Sequence, residues 1–307
     1  MNSSPPLARR DFLGRACVAG AALASGALTP TTPAAEAAKP RFQYIAFSKP
    51  FQTLSPDDTA DVVAEVGFDG IECPVRPKGQ IEPERAAEEL PRLAAALKQR
   101  GKEITMITTA IKSVSEPHTE TVLRAAAKSG IKRYRLGFWK YDAKRPIPAQ
   151  LAEIGAQLRD LAALNQELGL QAGFQNHSGR DYVGAPIWDV WTMIKDFDPR
   201  HLGVCFDIGH ATLEGGMSWP IESRLMQPHF SVVYVKDFRW EKAEKGWRAV
   251  WVPLGEGMVD KTFFTWLKTT PYTGPISQHH EYDHGQGKPM IARMRKDLQV
   301  LKEWMQA

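Results

Sequence analysis

Asp207 and His210 stand three residues apart in Phe206-Asp207-Ile208-Gly209-His210, directly after the apolar run 201–205. A carboxylate at a strand end, with an imidazole in the loop beyond it, is chemistry for holding a cation or moving a proton. The same punctuation recurs along the chain. Glu72 closes one apolar run, Gln175, Asn176 and His177 close another, and Lys236 and Asp237 a third. His279, His280 and Glu281 close the last. Polar groups gathered at successive strand ends imply a parallel α/β barrel, whose active-site face is built from the C-terminal ends of its strands.

Alternation along a strand tells which of these side chains share a face. Gln175 goes with His177, Cys205 with Asp207, Tyr234 with Lys236, and Ser277 with His279 and Glu281. Gln175, Asp207 and His279 are then candidate ligands of a mixed nitrogen and oxygen metal site for Mn, Mg or Zn. His177, Glu281, Lys236 and His210 are the candidate catalytic groups. Glu72, Arg135, Trp139, Tyr234 and Trp240 are candidates for meeting substrate. Simpler readings stand beside these: Asp207 as the cap of the next helix, Lys236 as a barrel ion pair, His280 as packing. Trp240, Trp247 and Trp251 crowd one loop, where flat aromatic faces would suit the C–H faces of sugars or merely fill space.

The elements that must position these groups alternate in eight strand–helix units. Strands are expected at 42–47, 68–73, 104–109, 131–136, 170–175, 202–206, 231–235 and 275–278. Helices are expected from about 57 to Gly67, over 83–99, 117–129 and 148–168, at about 188–197, 221–227 and 261–268, and from 289 to the end. Gly67, Gly130 and Gly169 are read as helix stops leading straight into strands. Eight units in series close into a (β/α)8 TIM barrel over residues 38–307.

Residues 1–37 read as a leader. Arg9-Arg10-Asp11-Phe12-Leu13 is a twin-arginine pattern, followed by an Ala/Gly-rich run to Leu28 and the small-residue site Ala35-Glu36-Ala37. The run is too short and too rich in Ala to span a bilayer, so a periplasmic or secreted protein without a stable membrane anchor is expected. Three arginines against two acids in 1–37 take the formal net charge from +4 to +3, too little to point to nucleic acid. Cys73 and Cys205 remain, both on strands, and two free buried thiols are expected rather than a disulfide. A homo-oligomer stays open.

The chain from 38 onward resembles the sugar phosphate isomerase/epimerase superfamily of xylose isomerase-like TIM barrels. The carriers are Gly67-Phe68-Asp69-Gly70-Ile71-Glu72, Phe206-Asp207-Ile208-Gly209-His210, Val235-Lys236-Asp237-Phe238 and the run Ser277 to Tyr282. The resemblance implies a divalent cation in the mouth, held by Glu, Asp, His and Glu on strands five to eight, and a carbohydrate substrate whose proton moves between adjacent carbons. Asp207 and His210 match. Gln175 stands where that pattern has Glu, Tyr234 where it has His, and His279 where it has the last Glu. An amide cannot act as a base, so the two-carboxylate pattern is not intact and an imidazole base is favoured, with His177 or Glu281 as the expected base. A metal-dependent isomerase or epimerase is the reading. A lyase eliminating the aglycone of a 3-keto-glycoside and a non-catalytic sugar-binding barrel are the alternatives. A DNA-repair endonuclease on the same fold would need a richer ligand shell and a basic groove.

If the leader works as read, replacing Arg9 and Arg10 with Lys leaves the protein in the cytoplasm. Fractionation of expressing bacteria checks this, and undiminished export of the double variant refutes it.

Overall fold

The computed structural model describes residues 41–306; the leader read at 1–37 lies outside the described residues. Eight parallel strands close into a barrel. They are β1 (Gln43–Phe47), β2 (Gly70–Pro74), β3 (Glu103–Thr108), β4 (Arg133–Arg135), β5 (Gln171–Gln175), β6 (Leu202–Asp207), β7 (Phe230–Val235) and, after an inserted hairpin, β10 (Pro275–Gln278), which closes between β7 and β1. Around them run α1 (Pro56–Val66), α2 (Ala86–Gln99), α3 (Thr119–Lys128), α4 (Ile147–Leu168), α5 (Ile187–Ile194), α6 (Ile208–Gly215), α7 (Trp219–Met226), α8 (Thr262–Thr269) and α9 (Lys288–Gln306).

Local chemistry sets the helix ends. Ser55 caps α1 by accepting from the Asp58 N–H at 3.1 Å, with Pro56 in the first turn. Gly67 ends α1 in the left-handed conformation, φ 95°, where a side chain would be strained. The apolar core has two layers. A large layer lies between strands and helices and includes Phe174, Phe206, Phe263 and Leu298; a small one inside the barrel comprises Ile45, Met106, Cys205, Val232 and Tyr234. Cys73 and Cys205 are both free and buried. Among the described residues no helix is long and apolar enough to cross a membrane.

Two elements differ from the sequence reading. The segment after Asp207, expected as loop, is α6, and Asp207 is its N-cap, accepting from the His210 N–H at 3.0 Å. The segment after β7 is an antiparallel hairpin of β8 (Asp237–Ala243) and β9 (Gly246–Val252). Its register pairs Phe238 with Trp251, Trp240 with Ala249 and Lys242 with Trp247. Successive side chains of a strand point to opposite faces, so these residues share one face and Arg239, Glu241 and Arg248 lie on the other.

Asp237 ties this hairpin to the barrel. Its carboxylate accepts from four backbone N–H groups, those of Phe238, Gly255, Gly257 and Val259, at 2.9 to 3.0 Å. Removing it strands several buried donors, each worth about 1–3 kcal/mol when left unpaired. Asp237→Ala is therefore expected to lose on the order of 3 kcal/mol or more of stability, and Asp237→Asn less, by urea unfolding. Equal stability of Asp237→Ala and the parent would show that the clasp carries no weight.

Candidate active site

Strand register brings the expected side chains to one height. Gln175 pairs with Cys205 and Asp207 with Tyr234, while Ser277 pairs with Tyr234 and Phe47 with Glu72. Among the described residues, the inward polar groups at the strand ends form one connected cluster.

Its deepest member is Glu72, which is fully buried. Oε1 accepts from Tyr234 Oη at 2.8 Å and from Thr108, and Oε2 accepts from Ser277 Oγ at 2.7 Å and meets His279 Nε2 at 3.0 Å. Burial pushes a carboxyl up, but the His279 charge and the bonds from His279, Thr108 and Ser277 outweigh it and hold Glu72 at about 2. Burial lowers His279 in turn, and the Glu72 charge, with bonds to Glu281 and Glu72, raises it overall. The ring is stacked on Phe47, centroids 4.7 Å apart.

From His279 the cluster runs outward. His279 Nδ1 is 3.7 Å from Glu281 Oε1, and that oxygen is 3.1 Å from Lys236 Nζ. Lys236 also reaches Asp207 Oδ2 at 3.2 Å and lies over the Trp251 ring at 4.7 Å. Gln175 Nε2 donates to the same Asp207 oxygen at 2.9 Å, and Arg135 Nη1 donates to Gln175 Oε1 at 2.8 Å. Asn176 brackets the Asp207 backbone, accepting from its N–H at 2.8 Å and donating to its carbonyl at 3.0 Å. Gly209 leaves room for Lys236 beside α6: a Cβ there would sit 2.8 Å from the Lys236 carbonyl and 2.9 Å from its Cγ.

His177 and His210 form the other wall, centroids 4.1 Å apart. His177 is also stacked on Tyr182 and tilted against Phe138. Burial and the Lys236 charge push His177 down to about 4, so the ring is neutral near pH 7. Its Nδ1 lies 2.8 Å from the Ser178 carbonyl, which can only accept, so Nδ1 carries the proton and Nε2 the lone pair. Burial first and Lys236 second hold His210 well below its ordinary value. His210 Nδ1 pairs with Ser178 Oγ at 2.7 Å.

His177, His210, Lys236, Glu281, Asp207, Gln175 and His279 are thus brought together. The remaining expected residues take other places. Glu72 and Tyr234 are buried in the barrel, with both Glu72 oxygens engaged by neighbours, His279 among them. Arg135, 4% exposed, clamps Gln175 and lies over Phe138 at 4.3 Å. Trp139 is stacked on Phe174, outside the barrel, with its indole N–H on Gln157 at 2.9 Å. Trp240 stands on the hairpin, 42% exposed, and packs on Phe238. Trp251 packs against Lys236 and His210 at the cluster, and Ser178, the hydrogen-bond partner of His210, is not legible in the sequence because a lone Ser carries no spacing signal.

The expected ligands do not present lone pairs to one point. Gln175 turns its N–H2 toward Asp207, and Arg135 fixes that orientation, since a flipped amide would face guanidinium donors. His279 spends Nε2 on Glu72. Among the described residues no group of three His, Cys, Asp or Glu side chains is placed to hold a metal ion.

A family model described as xylose isomerase-like TIM barrel matches residues 60–304. The structure is similar to 3-keto-D-glucoside 4-epimerase, YcjR, of E. coli, 16% identical, with 85% of this chain and 99% of that one covered and a TM-score of 0.66. It is also similar to a xylose isomerase-like TIM barrel protein of Mycobacterium smegmatis in complex with magnesium, 17% identical, covering 86% and 97%, TM-score 0.60. The uncharacterized protein MJ1311 of Methanocaldococcus jannaschii is 24% identical over 151 residues, 48% of this chain; the match spans about half of that relative's length, 47%.

Because Glu72 is held low, its stabilising effect is present above the ordinary carboxylate value of 4.5 and is lost as pH falls toward about 2. Glu72→Gln is expected to be less stable than the parent near pH 7, by roughly 3 kcal/mol. That gap should close between pH 4.5 and about 2 in urea unfolding. A gap independent of pH would show that Glu72 contributes packing and not charge.

Proposed function

Because the chain belongs to the xylose isomerase-like TIM barrel family, we propose that it is an enzyme acting on a sugar or keto-sugar, and that it moves a proton on the carbon next to a carbonyl. The observation that carries this reading is the Glu281–Lys236 pair, 3.1 Å apart at the open end of the barrel beside His279. An acid–base pair set beside a fixed cation is what enolisation requires.

The roles follow from the geometry. Glu281 is ionised, because Lys236 and His279 outweigh burial and hold it well below the usual range. Its side chain keeps 26% of its surface open, so substrate can reach it. A substrate oxygen that takes the Lys236 N–H from Glu281 frees that carboxylate to accept a proton. His177, neutral with a bare Nε2, is the second candidate base, on the opposite wall. His210 and Lys236 bind sugar oxygens. The epimerase named for the E. coli relative supports a keto-sugar substrate. Elimination from a 3-keto-glycoside shares the first step, and the aromatic face beside Lys236, led by Trp251, favours it by offering a surface for a leaving aglycone. The leader adds the proposal that the enzyme works in the periplasm or outside the cell. Catalysis through a metal on Gln175, Asp207 and His279 is not part of this reading, because those donors do not converge.

The test is deuterium wash-in. Incubated with a 3-keto-glucoside or a ketohexose in D2O, the protein is expected to exchange the proton next to the carbonyl, read by NMR. Glu281→Gln and His177→Ala should each slow exchange by about 100- to 10,000-fold if both serve as positioned bases. A released aglycone identifies elimination, and an inverted carbon identifies epimerisation. Saturable binding of these sugars without exchange would replace the enzyme with a sugar-binding barrel.

A further inference from the structure

We infer that the barrel mouth carries its own cation: the Lys236 ammonium occupies the place that a divalent metal would take and serves as the electrophile for the substrate oxygen. For its substrate this rests on the function proposed above; for the absence of a metal requirement it rests on the donor set alone.

Four features of the cluster converge on it. The Asp207 oxygen that faces the mouth is already taken, with Lys236 Nζ at 3.2 Å and Gln175 Nε2 at 2.9 Å. Gln175 cannot turn its oxygen to a cation without breaking the bond from Arg135 at 2.8 Å and setting donor against donor. On the neighbouring strand, Tyr234 spends its hydroxyl on Glu72 at 2.8 Å. On the next, His279 spends Nε2 on Glu72 at 3.0 Å. No two of these residues aim free lone pairs at a shared point.

Lys236 is built in where such a point would lie. Its side chain is 2% exposed, and long charged side chains are almost never that buried unless paired. Asp207 and Glu281 supply two pairing oxygens on different strand ends, and the Trp251 face covers a third side at 4.7 Å. Gly209 keeps the approach open, since a Cβ would press on the Lys236 carbonyl and Cγ. His210, 1% exposed, has a buried Nε2 with no hydrogen-bond partner among the described residues, 3.6 Å from the same Asp207 oxygen. An incoming oxygen can therefore meet Lys236 Nζ with His210 Nε2 beside it. A fixed ammonium supplies one positive charge and directed N–H donors, which suits an enolate oxygen. A divalent ion at this spot would have to displace it.

The experiment measures metal first and turnover second. Full-length protein, produced in medium containing Mn, Mg and Zn and purified without chelator, is analysed for metal by mass spectrometry and titrated with MnCl2 by calorimetry. Well under one ion per chain and no calorimetric binding are expected. The double variant Gln175→Glu/Lys236→Met, which swaps the ammonium for a second carboxylate, should bind Mn2+ under the same conditions. Deuterium exchange by the wild type should survive EDTA, and Lys236→Met should lose about 100- to 1,000-fold, unrestored by Mn2+. Lys236→Arg guards against misfolding: it keeps the charge and should retain more exchange than Lys236→Met. Stoichiometric metal in the wild type, or exchange abolished by EDTA and restored by Mn2+, overturns the inference. So does a Lys236→Met variant with undiminished exchange. A wild type that exchanges no sugar defeats the proposed function, while the metal measurements still decide whether Lys236 holds the cation position.

Discussion

The rest of the site depends on one constraint: a carboxylate, Glu72, is buried in the middle of the barrel and must be kept charged there. Its side chain is fully buried, and its two oxygens are satisfied by Thr108, Tyr234, Ser277 and His279. These belong to β3, β7, β10 and the turn beyond β10, and Glu72 itself to β2. A charge that would be intolerable alone becomes a cross-brace among strands far apart in sequence. It also decides what His279 can do. With Nε2 committed inward, only Nδ1 is left to face Glu281.

Charge then alternates toward the opening. Glu72 is followed by His279, Glu281, Lys236 and Asp207, and finally by Gln175 clamped under Arg135. Each group is placed by the one before, which keeps long side chains such as Lys236 in a single position and makes the mouth preorganised rather than adaptable. Asp207 belongs to both local and tertiary structure. One oxygen caps α6, and the other receives Lys236 and Gln175. Capping and ion pairing are carried out by different oxygens of one carboxylate.

The hairpin extends the same logic outward. Asp237 fastens it with four backbone bonds, and Trp251 lies over Lys236 at its base. Exposure of its aromatic face rises away from the cluster, from 1% at Phe238 to 67% at Trp247. The opposite face carries Arg239, Glu241 and Arg248, paired with one another. A strand pair that is aromatic on one side and charged on the other reads as loop in the sequence because its alternation is broken by small and charged residues near the turn at 244–245.

Sequence by itself determined the barrel and the faces of its strands. Apolar runs, glycine stops and side-chain parity are local properties, and they placed Asp207, Gln175, Lys236, His279 and Glu281 on the inner side of the strand ends. Tertiary structure alone decided what those residues are for. Whether Gln175 offers an oxygen or a nitrogen depends on Arg135, 40 residues earlier. Whether Glu72 meets a ligand or braces the core depends on Ser277, 205 residues later. Whether Trp139 or Trp251 reaches the mouth depends on which side of β5 or of the hairpin it packs. Parity says which way a side chain leaves its strand. Only the closed barrel sets which donors and acceptors it meets, and in a dry interior those partners fix both its charge and its orientation.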